Sequence, residues 1–201
     1  MSSIKENIKG FKSRIKNYNK IAGISKLSRR YFAVNGFDGV ITCIGILVGN
    51  YIIKVTDYKN VLITGMAVII SLSVSGIWSA YNSESAERKK EMNDLQEATL
   101  YNLDETVIAK AQRFATFVLA AVNGLSPAVM AIIPLIPFMF GSYLSIKISY
   151  YIGFGLAFII LFGIGLFLGK VSRTNLIISG IKMLIAGGIC VALSLSLTLL
   201  T

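Results

Sequence analysis

The sequence contains no histidine, and charged residues make up only 15% of its 201 positions. Without histidine the chain cannot form a Ser–His or Cys–His catalytic pair, or a zinc site that uses imidazole. The two cysteines, Cys43 and Cys190, both fall in apolar runs. They are expected to be small buried hydrophobic residues and not a disulfide framework. A glycine-rich phosphate loop is also missing. These absences exclude the common catalytic constellations, and an enzyme is not the first expectation.

Apolar residues dominate what is present, at 54% of the chain. A soluble domain carries about a quarter charged residues, so the composition indicates an integral membrane protein. Each apolar run exceeds the ~20 residues that cross a ~30 Å hydrocarbon core. The predicted fold is an all-α integral membrane protein, with an amphipathic interfacial helix in residues 1–30 followed by a transmembrane domain in residues 31–201. Its five predicted spans are 32–53, 61–82, 114–140, 143–168 and 174–200.

Basic residues set the expected orientation. Sixteen of the twenty Lys and Arg fall in segments 1–30, 83–113 and 169–173, whereas the opposite side would hold three, Lys54, Lys59 and Lys147. The positive-inside rule then places the N-terminus in the cytoplasm and the C-terminus outside. Because the basic residues flank spans, the net charge of +10 indicates topology, and no nucleic-acid partner is expected.

The N-terminal segment combines a heptad-spaced apolar stripe with lysines and arginines on its other faces. Such a helix is expected to lie on an anionic cytoplasmic leaflet, so anionic lipid is its predicted partner. A helix that binds a protein partner, of the kind calmodulin recognises, has the same pattern. The stripe consists of Ile4, Ile8, Phe11, Ile15, Tyr18 and Ala22.

The polar segment 83–113 carries seven acids and is expected to form a short acidic cytoplasmic insert. Two short helices are predicted, with the break at Tyr101 and Asn102 and with Asp104 and Glu105 near the start of the second. All three prolines, Pro127, Pro134 and Pro137, lie in the third span. That span is therefore expected to be kinked or broken.

Asp38 is an acid inside the first predicted span. An ionised carboxylate at mid-bilayer costs roughly 2.5–3.5 kcal/mol, so it needs a functional reason or a protein contact. At helical spacing it shares one face with Asn35 and Thr42, and with Gly45 and Gly49, a small-xxx-small pair that favours close helix packing. The face is either a helix contact that tolerates one acid or part of a solute or proton path.

Four polar residues of the spans fall at a similar depth, about 12–15 Å below the cytoplasmic surface at 1.5 Å per residue. Lys182 is the basic member and Asp38 the acidic one, so they are predicted to approach each other, directly or through water. The alternative is that Lys182 extends independently to an interface. The other two members are Ser75 and Asn123. The predicted transport path consists of Asn35, Thr42, Ser75, Asn123 and Lys182. Ser75 also belongs to a ridge of small residues in the second span, which indicates close helix packing or, as the alternative, hydroxyls that line a path. The ridge consists of Ala67, Ser71, Ser75, Ser79 and Ser83.

Three segments together resemble the vacuolar iron transporter family. Arg30–Gly49, RYFAVNGFDGVITCIGILVG, is similar to its first span, with the DG pair. Ser75–Glu91, SGIWSAYNSESAERKKE, resembles the end of its second span and the following cytoplasmic segment. Leu125–Phe138, LSPAVMAIIPLIPF, matches its proline-rich third span.

The resemblance implies a homodimer whose first helices meet at the two-fold axis. It also implies export of a divalent cation, iron or manganese in type, from the cytoplasm in exchange for protons. The cation is the substrate, and no tightly bound cofactor is expected. By this carry-over Asp38 is the in-membrane ligand and proton acceptor, and the cytoplasmic ligands are Glu84, Glu87 and Glu91.

Two positions depart from the family. Gly76 and Ala80 stand where the family has a methionine and a glutamate. A thioether is a soft ligand suited to ferrous iron, so its loss removes one argument for iron. These departures and Lys182 favour the alternative, a non-transporting relative such as a lipid-headgroup enzyme or a regulatory membrane protein. Asp38 and the acids of 83–113 favour transport.

Overall fold

The computed structural model describes residues 13–197, and the described residues form helices and turns without a strand. Five helices are long and apolar enough to cross a membrane, which confirms the predicted all-α architecture with an N-terminal helix before the spans. They are α1 (Ile24–Ile52), α2 (Tyr58–Thr99), α3 (Val107–Met139), α4 (Ile146–Ser172) and α5 (Leu176–Ser196).

Helix α2 is far longer than a span. Its 42 residues correspond to about 63 Å at 1.5 Å per residue, twice the thickness of the hydrocarbon core. The prediction of two short helices in 83–113 is therefore wrong, because α2 and α3 simply continue beyond the membrane. Residues 83–99 contain neither glycine nor proline, so nothing ends α2 where its apolar run stops. We call residues 83–113 the hairpin extension.

The predicted break of the hairpin extension is confirmed. The chain leaves the α-helical conformation at Leu100, which has a left-handed φ of 54°, and α3 starts at Val107. Asp104 and Glu105 precede α3 and do not lie in its first turn. Thr106 instead caps the helix, since its hydroxyl accepts the Ala109 amide at 3.4 Å.

The chain forms two compact units, which are described separately. The first contains the described residues up to Tyr31 together with Ser75–Gly124. Here the N-terminal helical segment, residues 13–22, packs on the start of α3: the Tyr18 and Phe114 rings are 5.6 Å apart. Ala22 joins Ala115 in a small apolar core. Ile4, Ile8 and Phe11 of the predicted stripe lie outside the described residues.

In the second unit, Phe32–Val74 with the residues from Leu125 onward, the prolines of α3 lie in helix contacts. A Cβ on Gly39 of α1 would lie 2.3 Å from the Pro127 oxygen, and one on Gly153 of α4 would lie 2.8 Å from the Pro134 oxygen. At both glycines, the backbones of two helices are therefore in direct contact. Helix α3 nevertheless runs unbroken through all three prolines, so the predicted break is not observed.

Helix α5 packs on α4 at two glycines. A Cβ on Gly180 would meet the Phe162 ring at 2.3 Å, and one on Gly187 would meet Leu161 at 2.5 Å. This contact leaves Ile181, Lys182 and Ile185 exposed. The outward face of α5 therefore carries a charged side chain among isoleucines.

Candidate functional site

Asp38 lies at the midpoint of α1, fourteen residues from either end. Its side chain is exposed, while the adjacent Gly39 and Val40 are buried against the rest of the second unit. The Thr42 hydroxyl donates to the main-chain oxygen of Asp38 at 2.8 Å. The carboxylate therefore stands at the edge of the packed face of α1, and one of its predicted neighbours is engaged with the helix backbone.

The remaining residues of the Asp38 face differ in burial. Asn35 is half-buried, whereas a Cβ added to Gly45 or to Gly49 would meet no atom within 4 Å. Within one chain, the two glycines therefore border open space. The face that sequence spacing assigned to helix packing is available to a helix of another chain.

Lys182 and Asp38 are both exposed, and they do not form an ion pair within one chain. In the part of the chain that the structure describes, the ion pair is Arg88–Glu84. The expected direct approach is thus absent, because Gly180 and Gly187 turn the other side of α5 toward α4. Lys182 belongs to the outward face.

Asn123 and Ser75, the other two residues of the predicted layer, have different roles in the first unit. The Asn123 amide donates to the Gly76 oxygen at 3.3 Å, and a Cβ on Gly76 would lie 2.9 Å from the Cα of Gly124. Asn123 is thus part of the contact between α2 and α3. Ser75 is exposed. A side chain at Gly76 would press on the backbone of α3, so a methionine there would require the two helices to move apart.

The serine ridge of α2 is exposed in the part of the chain that the structure describes. Its hydroxyl members are exposed, and two of them donate to their own helix, Ser71 to the Ala67 oxygen at 3.0 Å and Ser79 to the Gly76 oxygen at 3.5 Å. Close packing of α2 occurs at Gly65 and Gly76. Among residues 13–197, the predicted ridge contact is therefore not made.

The acids of the hairpin extension belong to a polar network. Glu84 accepts the Tyr31 hydroxyl at 2.6 Å and forms an ion pair with Arg88 at 3.0 Å. Arg88 also donates to the Gln112 oxygen, and the Gln112 amide donates to Glu91 at 3.4 Å. Arg88 is only 7% exposed, whereas Glu87 is exposed.

Sequence reasoning missed this network. The available signal was the i,i+4 spacing of Glu84 and Arg88, which favours an ion pair on one helix face. The roles of Tyr31 and Gln112 depend on contacts between distant segments. Glu84 is thus already neutralised by a cation of its own chain.

A preformed metal centre is not visible within residues 13–197: no three of their His, Cys, Asp and Glu side chains converge as ligands. Asp38 alone can offer two carboxylate oxygens at mid-span. A cation there would need further oxygen ligands from water or from a second copy of the chain.

Five spanning helices and a carboxylate at mid-span define a multi-pass integral membrane protein with an ionisable group inside the bilayer. The VIT family matches residues 101–199, which include α3 to α5. An uncharacterized protein of the archaeon Methanocaldococcus jannaschii is 29% identical over 167 residues, 82% of this chain and 84% of the archaeal protein. Both findings agree with the resemblance seen in the sequence: residues 101–199 are similar to the VIT family, and the archaeal protein is similar over most of its length. The VIT family is in general a family of membrane metal-ion transporters.

Proposed function

We propose that this protein exports a divalent cation of the iron or manganese type from the cytoplasm in exchange for protons. The observation that carries the proposal is the exposed carboxylate of Asp38 at the midpoint of a spanning helix. The similarity of residues 101–199 to the VIT family supports metal transport as the class of activity. The excess of basic residues supports a cytoplasmic N-terminus and an outside C-terminus.

The coupling follows from the cost of a bare carboxylate in hydrocarbon, about 2.5–3.5 kcal/mol on insertion scales. Asp38 avoids this cost when it binds either a proton or a cation. Since the two compete for the same oxygens, release of one favours binding of the other. Oxygen ligands without a thioether suit Mn²⁺ and similar ions.

We further propose a homodimer through α1, with Gly45 and Gly49 at the seam. Two copies would then supply two Asp38 carboxylates, which compensates for the single acid within the apolar spans of each chain. Glu87 and Glu91 are the first cation ligands in the hairpin extension, and Glu84 joins them only when Arg88 releases it.

The experiment is cation uptake into liposomes that contain the purified protein, with an internal metal-sensitive dye and a pH-sensitive dye. Mn²⁺ is expected to enter and protons to move in the opposite direction, and Asp38→Asn is expected to abolish both signals. Asp57→Asn is the matched control. Its carboxylate lies in the loop before α2, where it accepts the Lys59 amide at 2.9 Å, and asparagine can cap in the same way. Equal transport by wild type and Asp38→Asn would refute the role of Asp38.

A second candidate, a non-transporting membrane protein on the same scaffold, is favoured by the Arg88–Glu84 ion pair, which occupies a proposed ligand. Metal binding by the purified protein at neutral pH separates the two. The transporter is expected to bind Mn²⁺ more tightly than a variant with Glu84, Glu87 and Glu91 changed to glutamine. Absence of binding in both proteins would favour the second candidate.

A further inference from the structure

A cavity of about 590 Å³ lies in the second unit, where α1 ends and α4 begins. Its walls include Ile52, Val55, Ile146 and the Tyr150 ring, together with Leu195 near the end of α5. This volume is within the range of small-molecule pockets. The lining is mostly apolar, so the cavity suits a hydrocarbon group.

Two cations lie at this apolar cavity. Lys54 comes from the loop after α1 and Lys147 from the first turn of α4, and both line the cavity with exposed side chains. Among the described residues, no acid lines the cavity and neither lysine takes part in an ion pair. Lys59, the third lysine predicted on this side of the membrane, is not part of the lining. The cavity thus combines an apolar wall with an uncompensated positive charge.

Lys54 is held in an unfavourable backbone conformation. Its φ of 55° is left-handed, a region in which a side chain costs roughly 1–2 kcal/mol and in which glycine normally ends a helix. The turn is fixed by the Val55 amide, which donates to the Asn50 oxygen at 3.0 Å, and by the Tyr150 hydroxyl, which donates to the Val55 oxygen at 3.3 Å. A lysine is therefore kept at a position where glycine would be less strained.

The cavity lies at the ends of spanning helices, where hydrocarbon meets the polar headgroups. Long lysine side chains near helix ends extend to the headgroup level. Basic pockets between transmembrane helices are known on the cytoplasmic side, where they hold anionic headgroups, and Lys54 and Lys147 offer the same charge pairing at the opposite end of the spans. We propose that this cavity binds an anionic phospholipid, with its phosphate at Lys54 and Lys147 and part of an acyl chain against Val55 and Ile146. This site is independent of the proposed metal path and does not depend on the proposed function.

The test is lipid binding by the purified full-length protein, measured by native mass spectrometry and by the rise in thermal midpoint. The probes are phosphatidylglycerol and phosphatidylcholine with identical acyl chains. Phosphatidylglycerol is expected to bind wild type more tightly. Each lysine near the surface contributes about five-fold in affinity, so the Lys54→Gln, Lys147→Gln double variant is expected to lose about thirty-fold. Lys59→Gln is the matched control and is expected to bind like wild type.

Lys54→Gly separates binding from folding. Glycine relieves the left-handed conformation, so this variant is expected to be at least as stable as wild type without lipid and to bind phosphatidylglycerol about five-fold more weakly. Glycerol phosphate, which has the anionic group without acyl chains, is expected not to compete.

Three outcomes would overturn the proposal. Equal losses in Lys59→Gln and the double variant would indicate general surface charge. Effective competition by glycerol phosphate would indicate a simple anion site. A change of oligomeric mass in the double variant, measured by light scattering, would indicate that another copy of the chain covers the cavity. Transport is not measured in these experiments, so their result is independent of the role of Asp38.

Discussion

Gly39 is where α1 and α3 meet backbone to backbone, and it is the residue next to Asp38. Its absent side chain fixes the distance between the two helices, because a Cβ would lie 2.3 Å from the Pro127 oxygen and 2.5 Å from its Cα. The two residues of the DG pair, Asp38 and Gly39, therefore have different roles. The aspartate provides the exposed carboxylate, and the glycine holds the segment that carries it in place.

Gly39→Ala is expected to destabilise the protein by about 1–3 kcal/mol, because two backbones must separate to admit one methyl group. The measurement is the thermal midpoint of the detergent-solubilised protein. Gly163→Ala on α4 is the matched control: its Cβ would meet no atom within 4 Å, and alanine favours helix. Similar midpoints for the two variants would contradict the close contact.

At the scale of elements, the hairpin extension shows what sequence patterns predict and what they miss. The break near Tyr101 was predictable, because the polar residues there favour a turn. The continuity of α2 does not follow from hydropathy, because the end of an apolar run marks the end of a span and not the end of a helix. A helix ends where backbone or capping signals end it, and residues 83–99 contain neither glycine nor proline.

Arg88 holds the hairpin extension together through Glu84 and Gln112. Arg88→Met is expected to destabilise this element, because it leaves the carboxylate of Glu84, a half-buried residue, without its cation. Hydrogen exchange across residues 83–113 should increase at least about ten-fold, while exchange in α4 stays unchanged. The double variant Arg88→Met, Glu84→Gln removes the unpaired charge and is expected to recover most of the protection. Lys90→Met, at an exposed position of the same helix, is the control.

At the scale of the whole molecule, the five spans were predictable because length and hydropathy are properties of the chain in one dimension. Which helix faces contact one another was not predictable from the sequence. The serine ridge of α2 satisfied a small-residue pattern and yet is exposed, whereas Gly76 and Gly124 make the contact. Spacing identifies a face that can pack, but the partner depends on the shape of all neighbouring helices. Lys182 and Asp38 illustrate the same limit, because equal depth did not place them in contact.

The face of α1 that carries Gly45 and Gly49 predicts how two copies of the chain associate. Gly45 and Gly49 border open space in one chain, and small residues four apart let a second helix approach closely. Light scattering in mild detergent is expected to give twice the chain mass for wild type and the single chain mass for Gly45→Leu, because leucine prevents the close approach. Gly163→Leu also points into open space and is expected to remain dimeric. If Gly45→Leu kept the dimeric mass, the dimer contact would lie elsewhere, and the proposed pairing of two Asp38 carboxylates would lose its basis. The role of each carboxylate in transport is tested separately by Asp38→Asn.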